Sequence, residues 1–396
     1  LSARLLDLTR SLSRLGRGPM TGIDRVEAAW AAELVTREQP AFALIRSAAG
    51  FLLLDGPGMA DLFRLPLPGR ADLLSRLGHR RDPLRARAET LARRLAVARC
   101  TPQGLRRMLR RRMPQGGLYL NVGHANLTDR VLQSVRRAGL SATVLIHDTI
   151  PLDHPEFARP GTVEPFRRRL AAVSAHADRV IHITADARAR TEAQMARLGR
   201  VPPGLVAPIG VTPAAPDPAL LPPGLIPQPP YFVALGTIEP RKNLGLLLDV
   251  WEMLPEPRPR LYLAGSRGWA GAGLLARLDA LPPGGPVQEV RGLPDGAVAA
   301  LLQGAQALLF PSFAEGFGLP PLEAAALGTP VVAADLAVTR ELLNDYAVYL
   351  NPSDGYSWAR KITELAQKPA MTGRQGTGAA IPGWEAHFNC VLNLSR

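Results

Sequence analysis

Two glutamates and a glycine-rich turn carry the first chemical signal in this sequence. Glu315 and Glu323 flank the turn of FPSFAEGFGLPPLEAAALGTPVVAAD, residues 310–335. The apolar run Ala307–Phe310 reads as a buried strand. Pro320 and Pro321 suit the first turn of a helix, where their missing N–H groups cost nothing. Gly328 suits its C-terminal cap, and Thr329–Ala334 reads as the next buried strand. A strand, a glycine turn and a helix start form a place to hold an anion, because free N–H groups and the helix dipole point at it. Gly316, Phe317, Gly318 and Leu319 make up that turn. Carboxylates beside it accept hydrogen bonds from hydroxyls. A ligand with phosphates in its middle and hydroxyls at both ends fits, and a nucleotide sugar has that shape.

Other chemistry-bearing residues follow predicted strands. After Tyr231–Leu235 comes GTIEPRKN, residues 236–243, with Arg241 and Lys242 just before a predicted helix Leu244–Leu254. Cations at a helix start are unfavourable unless an anion is near. Two of them neutralise a diphosphate, arginine bidentately and lysine as a point charge. After Thr143–Ile146 comes HDTIPLDHPEF, residues 147–157. His147 there can bond a sugar hydroxyl or a phosphate, with Asp148 fixing its tautomer, or it can be satisfied by backbone at a strand end. TGIDRVEAAW, residues 21–30, offers Thr21 as an N-cap and Gly22 for close approach of the backbone to a ligand. Asn121, Gly123 and His124 follow a further strand and are weaker candidates for the same cleft. The spacing of these groups does not match a zinc site, so no metal is expected.

The elements that position these groups read as an α/β fold. Strands are expected at Arg4–Leu8, Ala41–Ile45, Gly117–Val122, Thr143–Ile146 and Arg179–Ile183. A second series is expected at Tyr231–Leu235, Leu261–Ala264, Val287–Val290, Ala307–Phe310 and Pro330–Ala334. Helical patterns between them predict parallel sheets covered by helices. The proline-dense stretch 201–230 separates the two series and disfavours helix and central strand. The expected layout is a first domain 1–212, a linker 213–230, a second domain 231–370 and a C-terminal segment 371–396. Ligands in open α/β sheets sit at the carboxyl ends of the strands, so two such domains make a cleft between them.

A chain of 396 residues with 46% hydrophobic and 20% charged residues has the composition of a soluble globular protein of two or three domains. Its leucine-rich start carries Arg4, Asp7 and Arg10 and lacks the pattern of a secretory leader. Cys100 and Cys390 cannot build a disulfide framework, so a reducing cytoplasm is the expected compartment. The net charge is +13, almost all of it arginine. Residues 76–112 are densely basic, and Leu84, Leu91, Leu95, Leu105, Met108 and Leu109 interleave with the arginines at roughly helical spacing. That pattern fits an anionic membrane surface or a solvated helical face. No zinc-ligand spacing or basic-aromatic interleaving accompanies the charge, so nucleic acid is not expected as a partner.

Together these segments resemble the retaining glycosyltransferases of family 4, which have the GT-B fold of two Rossmann-like domains facing across a cleft. The similarity is strongest over Tyr231–Leu350, where GTIEPRKN, EGFGLPPLE and GTPVVAAD follow the family pattern in order and spacing. HDTIPLDHPEF and TGIDRVE extend it to the first half, in the manner of bacterial enzymes that add mannose or related sugars, rhamnose among them, to surface polysaccharides. The resemblance implies that Glu323 binds the ribose hydroxyls and Glu315 the donor sugar. It implies that Gly318 and Leu319 N–H groups hold the diphosphate with Arg241 and Lys242, and that His147 contacts the sugar from the other domain. One departure concerns Thr237, where some relatives carry an arginine, so neutralisation of the diphosphate rests on Arg241 and Lys242.

The expected activity is therefore metal-independent transfer of a hexose from a GDP- or UDP-linked donor to a glycan or lipid-linked acceptor, with no cofactor. The enzyme would be cytoplasmic or peripheral on the inner membrane face. An epimerase or hydrolase of the same fold, and a non-catalytic nucleotide-sugar-binding protein, are the alternatives.

Overall fold

The computed structural model describes residues 2–18, 20–225, 227–369 and 379–393. Its strands fall into two sheets, divided within the proline-dense stretch, after Val206. The first contains β1 (Ala3–Asp7), β2 (Ala41–Ser47), β3 (Gly50–Asp55), β4 (Ala98–Cys100), β5 (Gly117–Asn121), β6 (Leu140–Ile146), β7 (Arg179–His182) and β8 (Gly204–Val206). Their order across the sheet is β4-β3-β2-β1-β5-β6-β7-β8. The second contains β9 (Tyr231–Leu235), β10 (Arg260–Ala264), β11 (Val287–Val290), β12 (Ala307–Phe310), β13 (Val331–Ala334) and β14 (Ala347–Leu350), in the order β11-β10-β9-β12-β13-β14.

The second sheet is parallel throughout. In the first, β1, β2, β5, β6, β7 and β8 are parallel, while β3 and β4 pair antiparallel at one edge. Continuous apolar runs such as Val331–Ala334, buried at every position, are what a sheet covered on both faces requires. In each sheet the order reverses next to the first strand, which leaves a crevice at the carboxyl ends. The residues singled out after β1, β6, β9 and β12 lie at those ends.

Four strands escape the sequence reading. β3 and β4 form with β2 an antiparallel edge, and the strict alternation of their burial is lost because helices cover both faces. β14 is short and only partly buried, so its apolar signal is weak. Gly204–Val206 lies within the proline-dense stretch and is tolerated there as an edge strand. Residues 207–230 contain one short 3-10 turn, Pro218–Leu220.

The basic stretch also differs from one amphipathic helix. It forms parts of three helices, Leu73–Gly78, Pro83–Leu95 and Leu105–Arg112. Leu91, Leu105, Met108 and Leu109 are core residues, and the Arg85 and Arg87 guanidinium groups bond backbone carbonyls of Arg46 and Pro68. Most of the apolar positions that would face a membrane are thus already packed inside the first domain.

A helix Trp384–Asn393 returns to the first domain. Residues 370–378 and 394–396, part of the final segment discussed above, lie outside the described residues. Phe388 packs edge-on to Trp30, with ring centroids 4.9 Å apart, and stacks on Trp384 at 5.4 Å. The Trp30 indole donates to His387 Nε2 at 3.2 Å. Because an indole can only donate, His387 must carry its proton on Nδ1, which donates to Ala207 O at 3.0 Å. One apolar cluster runs through this junction, joining Leu6 and Trp30 to Ile209, Phe388 and the second-domain residues Val233 and Leu322.

Candidate active site

The second domain supplies a buried charge cluster. β9 leads into Pro240–Lys242, a single 3-10 turn, and Asn243 then adopts a left-handed conformation before the helix Leu244–Met253. Asparagine tolerates that conformation better than most residues. Its side chain donates to Pro311 O at 3.2 Å and Pro352 O at 2.8 Å, tying the turn to the strand end that carries the other half of the site. Across the gap stands Glu315, between both cations. Lys242 Nζ lies 2.6 Å from Glu315 Oε1, and Arg241 Nη1 lies 2.6 Å from Glu315 Oε2. Arg241 also reaches Glu239 Oε1 at 2.5 Å and donates to Ala314 O at 3.0 Å. The Lys242 ammonium sits 4.6 Å above the Phe310 ring.

Burial by itself would push the Glu315 carboxyl up, but Arg241 and Lys242 overcome it and hold the group at about 2. Burial pulls the Lys242 ammonium down, and Glu315 opposes that. A contact of 2.6 Å to an ionised carboxylate keeps it charged at neutral pH. Glu239 and Asp148 are raised by burial, with Arg241 opposing in both cases. The cluster is therefore nearly self-neutralised: two cations face carboxylates that an incoming anion would have to replace.

The turn between Phe310 and the helix Leu319–Ala326 brings this cluster to the cleft. Gly318, at φ +89, occupies a conformation that side chains rarely adopt and aims the chain into the helix. Pro320 and Pro321 carry no N–H, so donors for an anion must come from Gly316, Phe317, Gly318 and Leu319. At Gly316 the two domains nearly touch. A Cβ there would lie 2.7 Å from His147 O and 2.9 Å from Asp148 Cβ. Only glycine lets the strand end of the first domain come so close.

From the first domain, His147 stands at the end of β6 and is buried. Its Nε2 meets Val122 O at 2.7 Å, and its ring packs on His124, with centroids 5.0 Å apart. Burial pulls its imidazole down to about 4, so it is neutral at physiological pH. The backbone-satisfied arrangement is thus the one seen for its Nε2. Asp148 caps the following turn through Ile150 N at 3.1 Å rather than fixing the His147 tautomer.

Thr21 begins the helix Gly22–Thr36 with its N–H donating to Asp24 Oδ2 at 2.9 Å, and Arg10 and Arg14 pair with the same carboxylate. This anchors the helix start against the second domain, where Gly22 faces the Leu319 side chain. One turn on, Arg25 crosses the cleft. Its Nη1 lies 2.6 Å from Glu323 Oε1, and its Nη2 lies 2.8 Å from Asp295 Oδ1. Burial raises the Glu323 carboxyl, and Arg25 opposes it. A cavity of about 140 Å³ opens beside this pair, lined by Gly22, Leu319, Glu323, Ile209, Val211 and Trp384. Small-molecule sites usually measure roughly 300–1,000 Å³. This cavity alone is smaller than a nucleotide sugar requires, and it excludes the Arg241, Lys242 and Glu315 part of the cleft.

The structure thus gathers Arg241, Lys242, Glu315 and the Gly316–Leu319 turn within one cluster, with His147 behind Gly316 and Glu323 across the helix start. Arg25, Glu239 and Asp295 were missed in the sequence. Arg25 stands three residues after Gly22 in TGIDRVE, on the same helical face, which was the available signal. Phe157 was quoted only as part of its loop. It stacks on Phe313 of the second domain with centroids 5.5 Å apart. Among the described residues, no group of three or more His, Cys, Asp or Glu side chains is arranged to hold a metal ion.

Two measurements check this geometry. Glu315→Ala leaves the buried Lys242 without its carboxylate and Arg241 with Glu239 alone, and should cost about 3–5 kcal/mol of stability. Adding Lys242→Met should recover part of that loss, so that a double-mutant cycle in urea is strongly non-additive; additive losses contradict the pairing. The second concerns His147. Its imidazole titrates near its usual 6.5 when unfolded and at about 4 when folded, so its contribution is full above 6.5 and is lost as pH falls toward 4. His147→Gln should therefore show a smaller fall in melting temperature than the parent between those two pH values, and parallel curves contradict this.

Comparison with known proteins bears on the fold and on the second domain. The family described as glycosyl transferases group 1 matches residues 222–380. The serotype-specific mannosyltransferase WbdA of Escherichia coli is 29% identical over 246 residues, covering 56% of this chain and 30% of that protein. O-antigen chain mannosyltransferase B of Escherichia coli is 37% identical over 168 residues, covering 41% of this chain and 43% of that protein. The match therefore spans less than half the length of each of these relatives. Among solved structures, HepE of Anabaena in complex with UDP-glucose aligns with a TM-score of 0.60 at 15% identity, covering 99% of this chain and 95% of that one. Sucrose-phosphate synthase of Thermosynechococcus elongatus aligns with a TM-score of 0.62 at 17% identity, covering 100% of this chain and 98% of that one. The chain thus has two domains in the GT-B arrangement, and its charge cluster lies inside the segment, residues 222–380, that is similar to the glycosyl transferases of group 1.

Proposed function

We propose that this chain moves a hexose, with mannose the first candidate, from a nucleoside diphosphate donor to a glycan or lipid-linked acceptor in the synthesis of a cell-surface polysaccharide. The observation that carries the reading is the pair of buried cations, Arg241 and Lys242, held by Glu315 at the mouth of a glycine turn and helix start. A diphosphate leaving group develops charge as its bond to the sugar breaks, and fixed cations with turn N–H groups stabilise that charge where it forms. The mannosyltransferase relatives support mannose, and the UDP-glucose complex of the HepE neighbour supports a nucleotide-sugar donor.

Each residue then has a task. Arg241, Lys242 and the Gly316–Leu319 turn take the diphosphate. Glu315, released from its cations, accepts hydroxyls of the sugar. Glu323 takes the ribose hydroxyls once Arg25 has let go of it. His147, neutral and fixed by Val122 O, shapes the sugar pocket from the first domain. The acceptor attacks from the face that the diphosphate leaves, so anomeric configuration is retained with no covalent sugar–enzyme intermediate. Two protein cations supply the charge that a metal would otherwise supply, so transfer is metal-independent and needs no cofactor. The setting is the cytoplasm or the inner membrane face.

Donor-consumption assays with GDP-mannose and UDP-hexoses, each with and without a membrane-extracted glycolipid acceptor, check the reaction class. Donor loss should require acceptor and should persist with EDTA. Glu323→Ala should raise the donor KM by about tenfold or more, equivalent to one lost charged hydrogen bond. Equal donor loss without acceptor would identify a hydrolase or epimerase, and loss of activity in EDTA would contradict the metal-independent reading.

A further inference from the structure

The short helix Leu73–Gly78 is inverted relative to a water-soluble helix. Its serine, Ser75, is fully buried, while Leu73, Leu74 and Leu77 are 70%, 45% and 51% exposed. Leu65, just before it, is 40% exposed. In the other arginine-rich helix, Leu105–Arg112, the leucines are buried as usual. Single exposed leucines are ordinary, but three on one six-residue helix form a patch.

Charge surrounds this patch with one sign. Arg70, Arg76, Arg80 and Arg81 are exposed, and none of them has an ion-pair partner among the described residues. The acidic groups nearby are committed elsewhere. Asp72 caps Ser75 N and pairs with Arg93. Asp82 pairs with Arg17 and caps Arg85 N. Glu89 bonds His79 and Ala48 N. Leucines flanked by unpaired arginines match a surface that is anionic outside and apolar a few ångströms in, which is an anionic bilayer.

The patch also has a defined place. Glu89 ties His79, next to this helix, to Ala48 just beyond the end of β2, with bonds of 2.8 Å and 2.9 Å. Arg85 bonds Arg46 O at 3.3 Å, near the same strand end, and Arg17 holds Asp82 from the loop that follows β1. The helix is therefore fixed at the carboxyl ends of β1 and β2, on the rim of the cleft that faces the second domain.

We propose that Leu73, Leu74 and Leu77, with Arg70, Arg76, Arg80 and Arg81, form a docking surface for an anionic lipid bilayer beside the mouth of the cleft. The leucines enter the headgroup boundary and the arginines hold lipid phosphates. The surface lies at 65–81, where apolar and basic groups are exposed together. The arginines of Leu105–Arg112 have no exposed leucines beside them. Docking stands apart from the proposed transfer reaction, although a lipid-linked acceptor would reach the cleft from this side.

Vesicle flotation of the full chain, without donor or acceptor, tests this independently of the transfer reading. The parent should float with phosphatidylglycerol-containing vesicles and not with phosphatidylcholine alone. Leu73→Ser, Leu74→Ser and Leu77→Ser combined, and separately Arg70→Gln, Arg76→Gln, Arg80→Gln and Arg81→Gln combined, should each weaken binding about tenfold or more. A control neutralising Arg106, Arg107, Arg110 and Arg111 should float like the parent. Unchanged melting temperatures certify that the variants fold. The proposal fails if the serine variant floats like the parent or if the loss follows the control. It also fails if light scattering shows a parent dimer that the serine variant dissolves, since the patch then belongs to a second copy of the chain.

Discussion

The candidate site depends on one constraint: two cations buried at the mouth of a glycine turn must have a counterion at all times. An unpaired buried ammonium or guanidinium is costly, because its hydration is lost and nothing replaces it. Glu315 fills that need in the ligand-free chain, with one oxygen on Lys242 and the other on Arg241. Under the proposed function the same carboxylate would accept sugar hydroxyls once an anion takes the cations from it, so that counterion and sugar ligand would be successive states of one side chain.

The cleft repeats this logic between domains. Arg25 of the first domain is paired with Glu323 and Asp295 of the second, and Phe157 stacks on Phe313 a short way along the seam. A cavity of about 140 Å³ lies beside the Arg25–Glu323 pair. Under the proposed function, ribose hydroxyls that reach Glu323 would have to displace Arg25. His387 and Phe388 of the returning C-terminal helix are held to the first domain by Trp30 and by Ala207, just after β8.

Much of this was legible in the sequence because it is written in local patterns. Buried parallel strands are continuous apolar runs, so β9, β11 and β12 were read with their observed bounds. The glycine turn, the paired prolines and the adjacent Arg241 and Lys242 have fixed spacing along the chain. Pairing across long separations was not legible. Nothing in GTIEPRKN shows that its cations rest on Glu315, and nothing in TGIDRVE shows that Arg25 reaches Glu323. The basic stretch was ambiguous for a related reason. Helical spacing shows that Leu105 and Leu109 share a face, but only packing shows that the face is turned inward while Leu73 and Leu77 are turned out.

The exchange of counterions is the central claim, and a thermal-shift comparison addresses it most directly. Melting temperatures of the parent and of Glu315→Gln would be followed with added nucleoside diphosphate and nucleoside monophosphate. Ligands that bind only the folded state raise its stability in proportion to affinity. The account expects the diphosphate to stabilise Glu315→Gln more than the parent, because the cations are left without their carboxylate, while the monophosphate separates the two proteins little. Equal diphosphate shifts in both, or a smaller shift in Glu315→Gln, would contradict it.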